Sequence, residues 1–269
     1  MTGRSFLTGM AMVAALATTG SNSAVAANLI ALTGDRTLLT IDRSPAVVRR
    51  VNVSGTDSQL LGIDVRPADG RLYGLLANGR VVTINPRTGA ATPKSNLILT
   101  TPLPSGARFS VDFNPVVDRL RIVSDVGTNL AANVDDGSVA VGVAPAFPPP
   151  PAVNPFGGTT PSVIAVAYTN SKAGAKGTLL FDIDDATDAI YIQQPPAAGT
   201  LTNVGGQFGI GVSQVGFDIL TDANSRNTAF LISGNRLYNP GLLSGSAGKG
   251  VRVKYLSDAV RDLAVLPPR

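Results

Sequence analysis

The sequence contains no cysteine, no histidine and no tryptophan. Without histidine and cysteine, the chain cannot build Ser-His-Asp or Cys-His nucleophilic machinery, nor zinc sites that depend on imidazole or thiolate ligands. Any acid–base chemistry must therefore come from carboxylates, tyrosine, lysine or arginine. The absence of cysteine also excludes disulfides and a lipoprotein anchor, so the fold must be held by packing and strand pairing.

Aromatic and charged residues are scarce as well, at 5% and 15% of the chain. With so few aromatic rings, we expect no extensive platform for stacking sugars. The formal net charge is +4, but the basic residues are scattered and form no cluster with interleaved aromatic residues. We therefore expect no nucleic-acid partner.

Long hydrophobic runs are absent except near the N-terminus. There the apolar residues 6–17 follow Arg4 and precede the small-residue triplet 24–26. This pattern is typical of a secretory signal peptide, and the run is too short for a membrane-spanning helix. We predict that residues 1–26 are removed and that residues 27–269 form one domain, without a membrane span, in the periplasm or outside the cell. We expect it to be a monomer.

Glycine and proline, by contrast, are abundant, with 29 and 19 residues, which favours an all-β fold with short strands. The stretch 60–92 has three short β-runs separated by turn signals at Asp69-Gly70 and Asn78-Gly79. Asp-Gly and Asn-Gly between apolar runs are strong hairpin signals because both residues of each pair tolerate positive φ. This stretch therefore predicts an antiparallel meander.

Variants of the meander recur along the chain. The position of Asp64 in the first run is matched by Asp112, Ala167, Asp218 and Ala264, at successive spacings of 48, 55, 51 and 46 residues. Periods of this size indicate propeller blades of four strands each.

The two ends of the chain complete each other. Residues 28–53 match runs two, three and four of a unit, and residues 262–266 form a first run with nothing after it. We therefore predict an all-β fold, a five-bladed β-propeller of four-stranded antiparallel blades closed by pairing of the N- and C-terminal strands. The proline-rich stretch 144–161 cannot be strand interior, because proline lacks the ladder donor. We interpret it as a surface loop, with a lid or a recognition segment as the alternative.

Three motifs in this pattern are distinctive in combination. They are GIDVRPADGRLYGLLANGRVVTINPRTGAAT from residue 62, VDFNPVVDRLRIVSDVGTNL from residue 111 and VAYTN from residue 166. Through them nearly the whole mature chain, roughly residues 28–266, resembles the DUF4394 family of secreted bacterial proteins. The resemblance implies a YVTN-like β-propeller and export. Because that family is a domain of unknown function, it carries no catalytic residue to this chain.

The repeated acidic position is the first candidate site. Asp64, Asp112 and Asp218 occupy one place in the first run of three blades, where they should line the central channel. Three carboxylates on one axis could bind Ca²⁺, or supply an acid and a base for a glycosidase. The alternative is that each carboxylate accepts hydrogen bonds from turns or from a neighbouring blade.

Two further groups of polar residues are candidates. Tyr168 and Asn170 end a first run and could line a polar pocket near the same rim. The acidic cluster FDIDDATD, which contains Asp182 and Asp184, lacks the spacing and the glycine of the twelve-residue calcium loop. We therefore expect this cluster to be a solvated hairpin tip.

No motif decides the function. The favoured hypothesis is an exported, non-enzymatic binding or interaction module for a protein, a glycan or a small ligand, with Ca²⁺ as the one cofactor considered. The alternative is a carbohydrate- or lactone-directed hydrolase or lyase that uses the channel carboxylates. Propellers host all of these roles, so the fold cannot choose among them.

Overall fold

Each repeat folds into one four-stranded antiparallel sheet in the computed structural model, which describes residues 28–42, 44–147 and 160–267. We number the sheets as blades 1 to 5 and name their strands from the axis outwards. Blade 1 consists of β20 (Val260–Leu266), β1 (Asn28–Thr33), β2 (Thr37–Ile41) and β3 (Val47–Asn52). Blade 2 consists of β4 (Leu60–Val65), β5 (Leu72–Leu76), β6 (Arg80–Ile84) and β7 (Ala91–Asn96).

The other three blades repeat this order. Blade 3 consists of β8 (Phe109–Asn114), β9 (Arg119–Ser124), β10 (Asn129–Ala132) and β11 (Val139–Val141). Blade 4 consists of β12 (Val163–Tyr168), β13 (Leu180–Asp184), β14 (Ala189–Gln193) and β15 (Leu201–Gln207), with a 3₁₀ turn at Pro196–Ala198. Blade 5 consists of β16 (Val215–Thr221), β17 (Asn227–Ser233), β18 (Arg236–Tyr238) and β19 (Val251–Arg252). The predicted five-bladed all-β propeller is confirmed.

The ring closes where the chain ends meet. Strand β20 pairs antiparallel with β1, so that Val265 lies opposite Leu29 and Leu263 opposite Ala31. The five innermost strands also pack side by side in the order β20, β4, β8, β12, β16 and back to β20. Closure of this kind leaves no free inner edge, and it confirms the predicted composite blade.

Burial falls from the axis to the rim. The innermost strands β4 and β12 are buried along their whole length, whereas the outer strands β3 and β7 are largely exposed. Each inner strand is covered by a neighbouring blade on both faces, which explains its nearly continuous apolar sequence. The predicted turns are present, with Gly70 and Gly79 at φ of 67° and 79°, where a side chain would be strained.

Buried apolar clusters fill the spaces between adjacent blades. The cluster between blades 4 and 5, for example, joins Phe181 and Ile183 to Phe217 and Leu231. The interface between blades 3 and 4 is less uniformly apolar, because buried polar side chains share it with a smaller hydrophobic cluster. Its polar members are Arg121, Asn129, Asp182 and Gln193.

One expectation about this region was wrong. Asp182 and Asp184 are not part of a solvated tip but lie in β13 with no exposed surface. Asp184 organises the turn that follows β13, since it accepts hydrogen bonds from the backbone N–H and the hydroxyl of Thr187. The same acidic sequence fits a solvated turn and a buried strand end. What distinguishes the two is whether a later residue, here Thr187, donates hydrogen bonds to the carboxylate.

Two predicted segments lie wholly or partly outside the described residues. They are the predicted signal peptide at residues 1–26 and most of the proline-rich stretch 144–161, of which residues 144–147 and 160–161 are described. Ala146 forms a parallel bridge with Thr200, and Phe147 packs against Tyr191 with ring centroids 5.0 Å apart. Within the described ranges, no helix is long and apolar enough to span a membrane.

Candidate ligand-binding site on the propeller axis

Three aspartates of the repeat converge on the axis. Asp64, Asp112 and Asp218 come from the inner strands of blades 2, 3 and 5, and each is at most 4% exposed. One carboxylate oxygen from each lies within 4.8 Å of the corresponding oxygen of the other two. The repeat position inferred from the sequence therefore forms one buried group, which we call the axial carboxylates.

The axial carboxylates also connect the blades. Asp64 accepts a hydrogen bond from the backbone N–H of Phe113 in blade 3 at 2.8 Å. Asp112 accepts one from Tyr168 in blade 4 at 3.1 Å, and Asp218 accepts one from Val265 in blade 1 at 2.6 Å. Each aspartate thus binds the residue that follows the equivalent position in the next blade around the ring.

Two blades carry alanine at this position, and their neighbours compensate. Ala167 of blade 4 has no side-chain acceptor for the backbone N–H of blade 5, and Ala264 of blade 1 has none for that of blade 2. The aspartates of those blades instead use their second oxygen on the next backbone N–H, Asp218 on Ile219 at 2.5 Å and Asp64 on Val65 at 2.6 Å. Three carboxylates therefore satisfy five backbone donors, one in every blade, which accounts for a structural role of the repeated aspartate.

A fourth buried aspartate lies beside this group, and the repeat alignment missed it. Asp262 of β20 accepts hydrogen bonds from the backbone N–H of Ile63 at 2.9 Å and from the hydroxyl of Ser110 at 3.1 Å. Asp262 stands two residues before Ala264, so it points to the same face of the strand one layer away. Because side chains two residues apart lie on the same face of a strand, the sequence could have predicted that Asp262 shares the face of Ala264.

The electrostatics of the axis are unbalanced. Among the described residues, no lysine or arginine forms a hydrogen bond or an ion pair with Asp64, Asp112 or Asp218. Burial raises the pKa of Asp218 to about 6. Burial, and then the charge of Asp218, raises the pKa of Asp64 well above its usual range. Like charges at this separation favour the uptake of protons or of a cation.

A cavity opens onto two of the three axial carboxylates from one end of the ring. It has a volume of about 190 Å³, and Asp64 and Asp218 form part of its wall. Its other lining residues come from the ends of inner strands and from the loops beyond them, and include Pro67, Lys172, Thr221 and Pro267. The opening lies where the inner strands end, the rim at which the sequence predicted a polar pocket.

The other two predicted site residues lie near this rim but outside the cavity wall. Tyr168 is fully buried between blades 3 and 4, where its hydroxyl accepts a hydrogen bond from Nε of Arg121 at 3.2 Å. Asn170, at a left-handed φ of 56°, bonds to Asn227 of blade 5 and to the backbone of Gly177. The loop residues that directly follow Asn170 are the ones that line the cavity.

A second buried carboxylate belongs to no site that the sequence predicted. Asp182 has no exposed surface, and neither of its oxygens has a hydrogen-bond partner among the described residues. Burial raises its pKa well above the usual range, and the charge of Arg121 opposes that rise. Both oxygens are sealed from solvent, so we assign Asp182 to the interior of the fold rather than to a ligand site.

Comparisons with known proteins support the family and assign no activity. A family model described as a domain of unknown function, DUF4394, matches residues 20–264. No curated protein matches the chain. A solved protein of unknown function from Bacteroides caccae is 12% identical with a TM-score of 0.43, and the match covers 84% of this chain and 73% of that one. A structural genomics protein of unknown function from Bacteroides thetaiotaomicron VPI-5482 is 14% identical with a TM-score of 0.49, over 84% of this chain and 55% of that one.

Proposed function

The chain belongs to the DUF4394 family, and because that family is described only by its unknown function, we propose a function from the geometry of the axis. We propose that the chain is an exported, non-enzymatic binding module that takes a small cationic ligand in the axial cavity. The ligand class is a divalent metal such as Ca²⁺ or an alkylammonium group. Export is supported by the signal-peptide pattern of residues 1–26 and by the family resemblance.

One observation carries this proposal. The axial cavity ends on Asp64 and Asp218, which belong to a group of three buried carboxylates with no basic partner among the described residues. Buried charges are normally paired or bound to a metal, because leaving them alone in a low-dielectric interior is costly. A cation that enters the cavity would supply the missing partner.

The distances suit a calcium ion. Oxygens bound to Ca²⁺ at about 2.3–2.6 Å can lie up to about 5 Å apart. The axial carboxylates meet this limit, since one oxygen from each lies within 4.8 Å of the others. Backbone donors occupy only part of their capacity, because an ionised carboxylate has about four acceptor positions. Cation binding is therefore compatible with the hydrogen bonds that join the blades.

The same geometry gives less support to the hydrolase or lyase alternative. A glycosidase acid and base must both reach the substrate from the two sides of the bond that is broken. Asp64 and Asp218, the two axial carboxylates in the cavity wall, each use both oxygens on backbone donors. These contacts favour a group that holds a small charge over one that moves protons to a sugar ring.

Thermal unfolding with added cations tests the proposal. Ligand binding to the folded state stabilises it by about 2.7 kcal/mol when the ligand is at a hundred times its Kd. We expect Ca²⁺ or methylammonium to raise the Tm of the protein by several degrees, and Asp112→Asn to reduce that response strongly. Asp258→Asn, a half-exposed surface change far from the axis, is the matched control and should respond like the wild type. Absence of any cation response in the wild type, or a full response in Asp112→Asn, would contradict the proposal.

A further inference from the structure

One positive side chain stands at the mouth of the acidic cavity. Lys172 lines the cavity together with Asp64 and Asp218. Its ammonium donates a hydrogen bond of 2.6 Å to the hydroxyl of Ser225, in the turn after β16 of blade 5. No carboxylate among the described residues pairs with it as an ion pair. The cavity thus has acidic groups on one wall and an unneutralised ammonium on its rim.

The loop that carries Lys172 is anchored at its base and exposed at its tip. The loop joins β12 to β13. Near its start, the backbone N–H of Asn170 donates a hydrogen bond of 2.9 Å to the side chain of Asn227, which fixes this part of the loop to blade 5. Lys172 itself is exposed. The hydrogen bond to Ser225 is its only side-chain hydrogen bond among the described residues. A lysine ammonium on a flexible four-carbon stem can exchange one such contact for another without moving the loop base.

We propose that Lys172 is a tethered competitor for the axial site. Its ammonium exchanges between Ser225, its partner in the structure, and the axial cavity, where it pairs with Asp64 and Asp218 in competition with external cations. Ser225 then acts as the resting partner that holds the ammonium aside when a cation occupies the site. This inference rests on the proposed function, because it concerns how binding at that same cavity is controlled.

The physical basis is the competition between an attached and a free cation. A group held by a short flexible tether presents an effective concentration in the millimolar range. An external cation must displace the lysine ammonium from the site. The apparent Kd therefore equals the intrinsic Kd divided by the fraction of molecules in which the lysine leaves the site free. A cation that binds the carboxylates no more strongly than the lysine ammonium, such as methylammonium, would then fill the cavity only at a higher concentration than Ca²⁺ requires.

Calorimetric titration of Ca²⁺ into the full chain and its variants tests this inference. Lys172→Met removes the competitor and should lower the Kd for Ca²⁺ on the order of threefold to tenfold. Lys176→Met removes the same charge from the same loop, at a residue outside the cavity wall, and corrects for long-range electrostatics. Ser225→Gly suits the left-handed φ of 62° at that position, removes the resting partner without changing charge, and should raise the Kd.

The outcomes separate the two proposals. If Lys172→Met tightens binding no more than Lys176→Met, and Ser225→Gly leaves the Kd unchanged, then Lys172 is not a competitor, although the axial site stands. If Ser225→Gly fails to fold, a titration of Ser225→Ala replaces it with the same expectation. If neither the wild type nor any variant binds Ca²⁺ or methylammonium, both proposals are wrong.

Discussion

At the residue scale, the repeated aspartate brings a carboxylate to the axis and binds a backbone N–H of the next blade. The alignment of Asp64, Asp112 and Asp218 predicted that the carboxylates converge on the axis, since they occupy one position of the run that should line the central channel. It could not reveal that the alanines of blades 1 and 4 redirect the second oxygens of Asp64 and Asp218. The use of the second oxygens depends on which backbone N–H groups find no acceptor in the neighbouring blade. The sequence around each aspartate does not indicate this.

Unequal use of the axial carboxylates predicts unequal stability losses. Asp64→Ala removes the acceptor for two backbone donors, whereas Asp112→Ala removes the acceptor for one. Each buried donor left without a partner costs about 1–3 kcal/mol. Urea unfolding should therefore show a larger loss of unfolding free energy for Asp64→Ala than for Asp112→Ala. Equal losses, or the reverse order, would show that the additional hydrogen bond from Val65 to Asp64 does not contribute to stability.

The unpartnered carboxyl of Asp182 predicts a pH dependence of stability. Burial raises its pKa in the folded protein above the usual value of 3.8, so the folded state binds this proton more tightly than the unfolded chain does. The corresponding stability is complete below the usual pKa and is lost as the pH rises through the raised one. We expect Asp182→Asn to unfold at higher urea concentration than the wild type at pH 8.

Two controls accompany that measurement. At pH 4 the wild type holds its proton, so the advantage of Asp182→Asn should disappear there. Asp258→Asn removes a half-exposed carboxylate that pairs with Arg50, an interaction worth about 0–1 kcal/mol, so this variant should gain no stability at either pH. An advantage of Asp182→Asn that is the same at pH 4 and pH 8 would mean that its effect comes from packing against Arg121 and not from the proton.

At the element scale, turns and strand periods were predictable, but the faces of individual strands were less so. Asp69-Gly70 and Asn78-Gly79 mark turns because only a few residues tolerate a left-handed φ. In contrast, Tyr168 was a candidate for the wall of a polar pocket and is buried, with its hydroxyl bonded to Arg121 of blade 3. Pairing across an interface between blades joins residues far apart in the chain, so no local pattern indicates it.

Close packing between inner strands predicts that one strand glycine is irreplaceable. A Cβ at Gly216 of β16 would lie 2.6 Å from Cγ1 of Val260 and 3.0 Å from the backbone of Asp262. Gly216→Ala should therefore push β16 away from β20 and lower the unfolding free energy by about 1–3 kcal/mol. The control is Gly206→Ala, a strand glycine with no atom within 4 Å of its added Cβ. Similar stability of the two variants would refute this account of the contact.

At the scale of the whole molecule, the closure of the ring follows from an incomplete first repeat and an unaccompanied last run. The period of about fifty residues and the two partial ends were enough to predict the five blades. The axial cavity was not predictable in the same way, because its wall combines strand ends with Lys172 from a loop. Loop positions follow no repeat, so the repeat pattern does not locate Lys172.

Removal of the last strand tests the closure. A chain that ends at residue 259 lacks β20, which leaves the inner edge of β1 unpaired and removes the backbone N–H of Val265 that binds Asp218. We expect this chain to lose soluble, cooperatively unfolding protein. A chain that ends at Pro267 retains every strand and is the control. Unchanged melting of the shorter chain would contradict the composite blade.

The central claim is that the axial carboxylates hold a cation, and anomalous diffraction from crystals grown with Mn²⁺ tests it most directly. Mn²⁺ binds the same kinds of oxygen ligand as Ca²⁺, and its anomalous scattering locates the ion directly in a difference map. We predict one peak on the axis, within bonding distance of Asp64, Asp112 and Asp218, and its loss in Asp112→Asn. A map with no axial peak, or with peaks only at surface carboxylates, would contradict the claim.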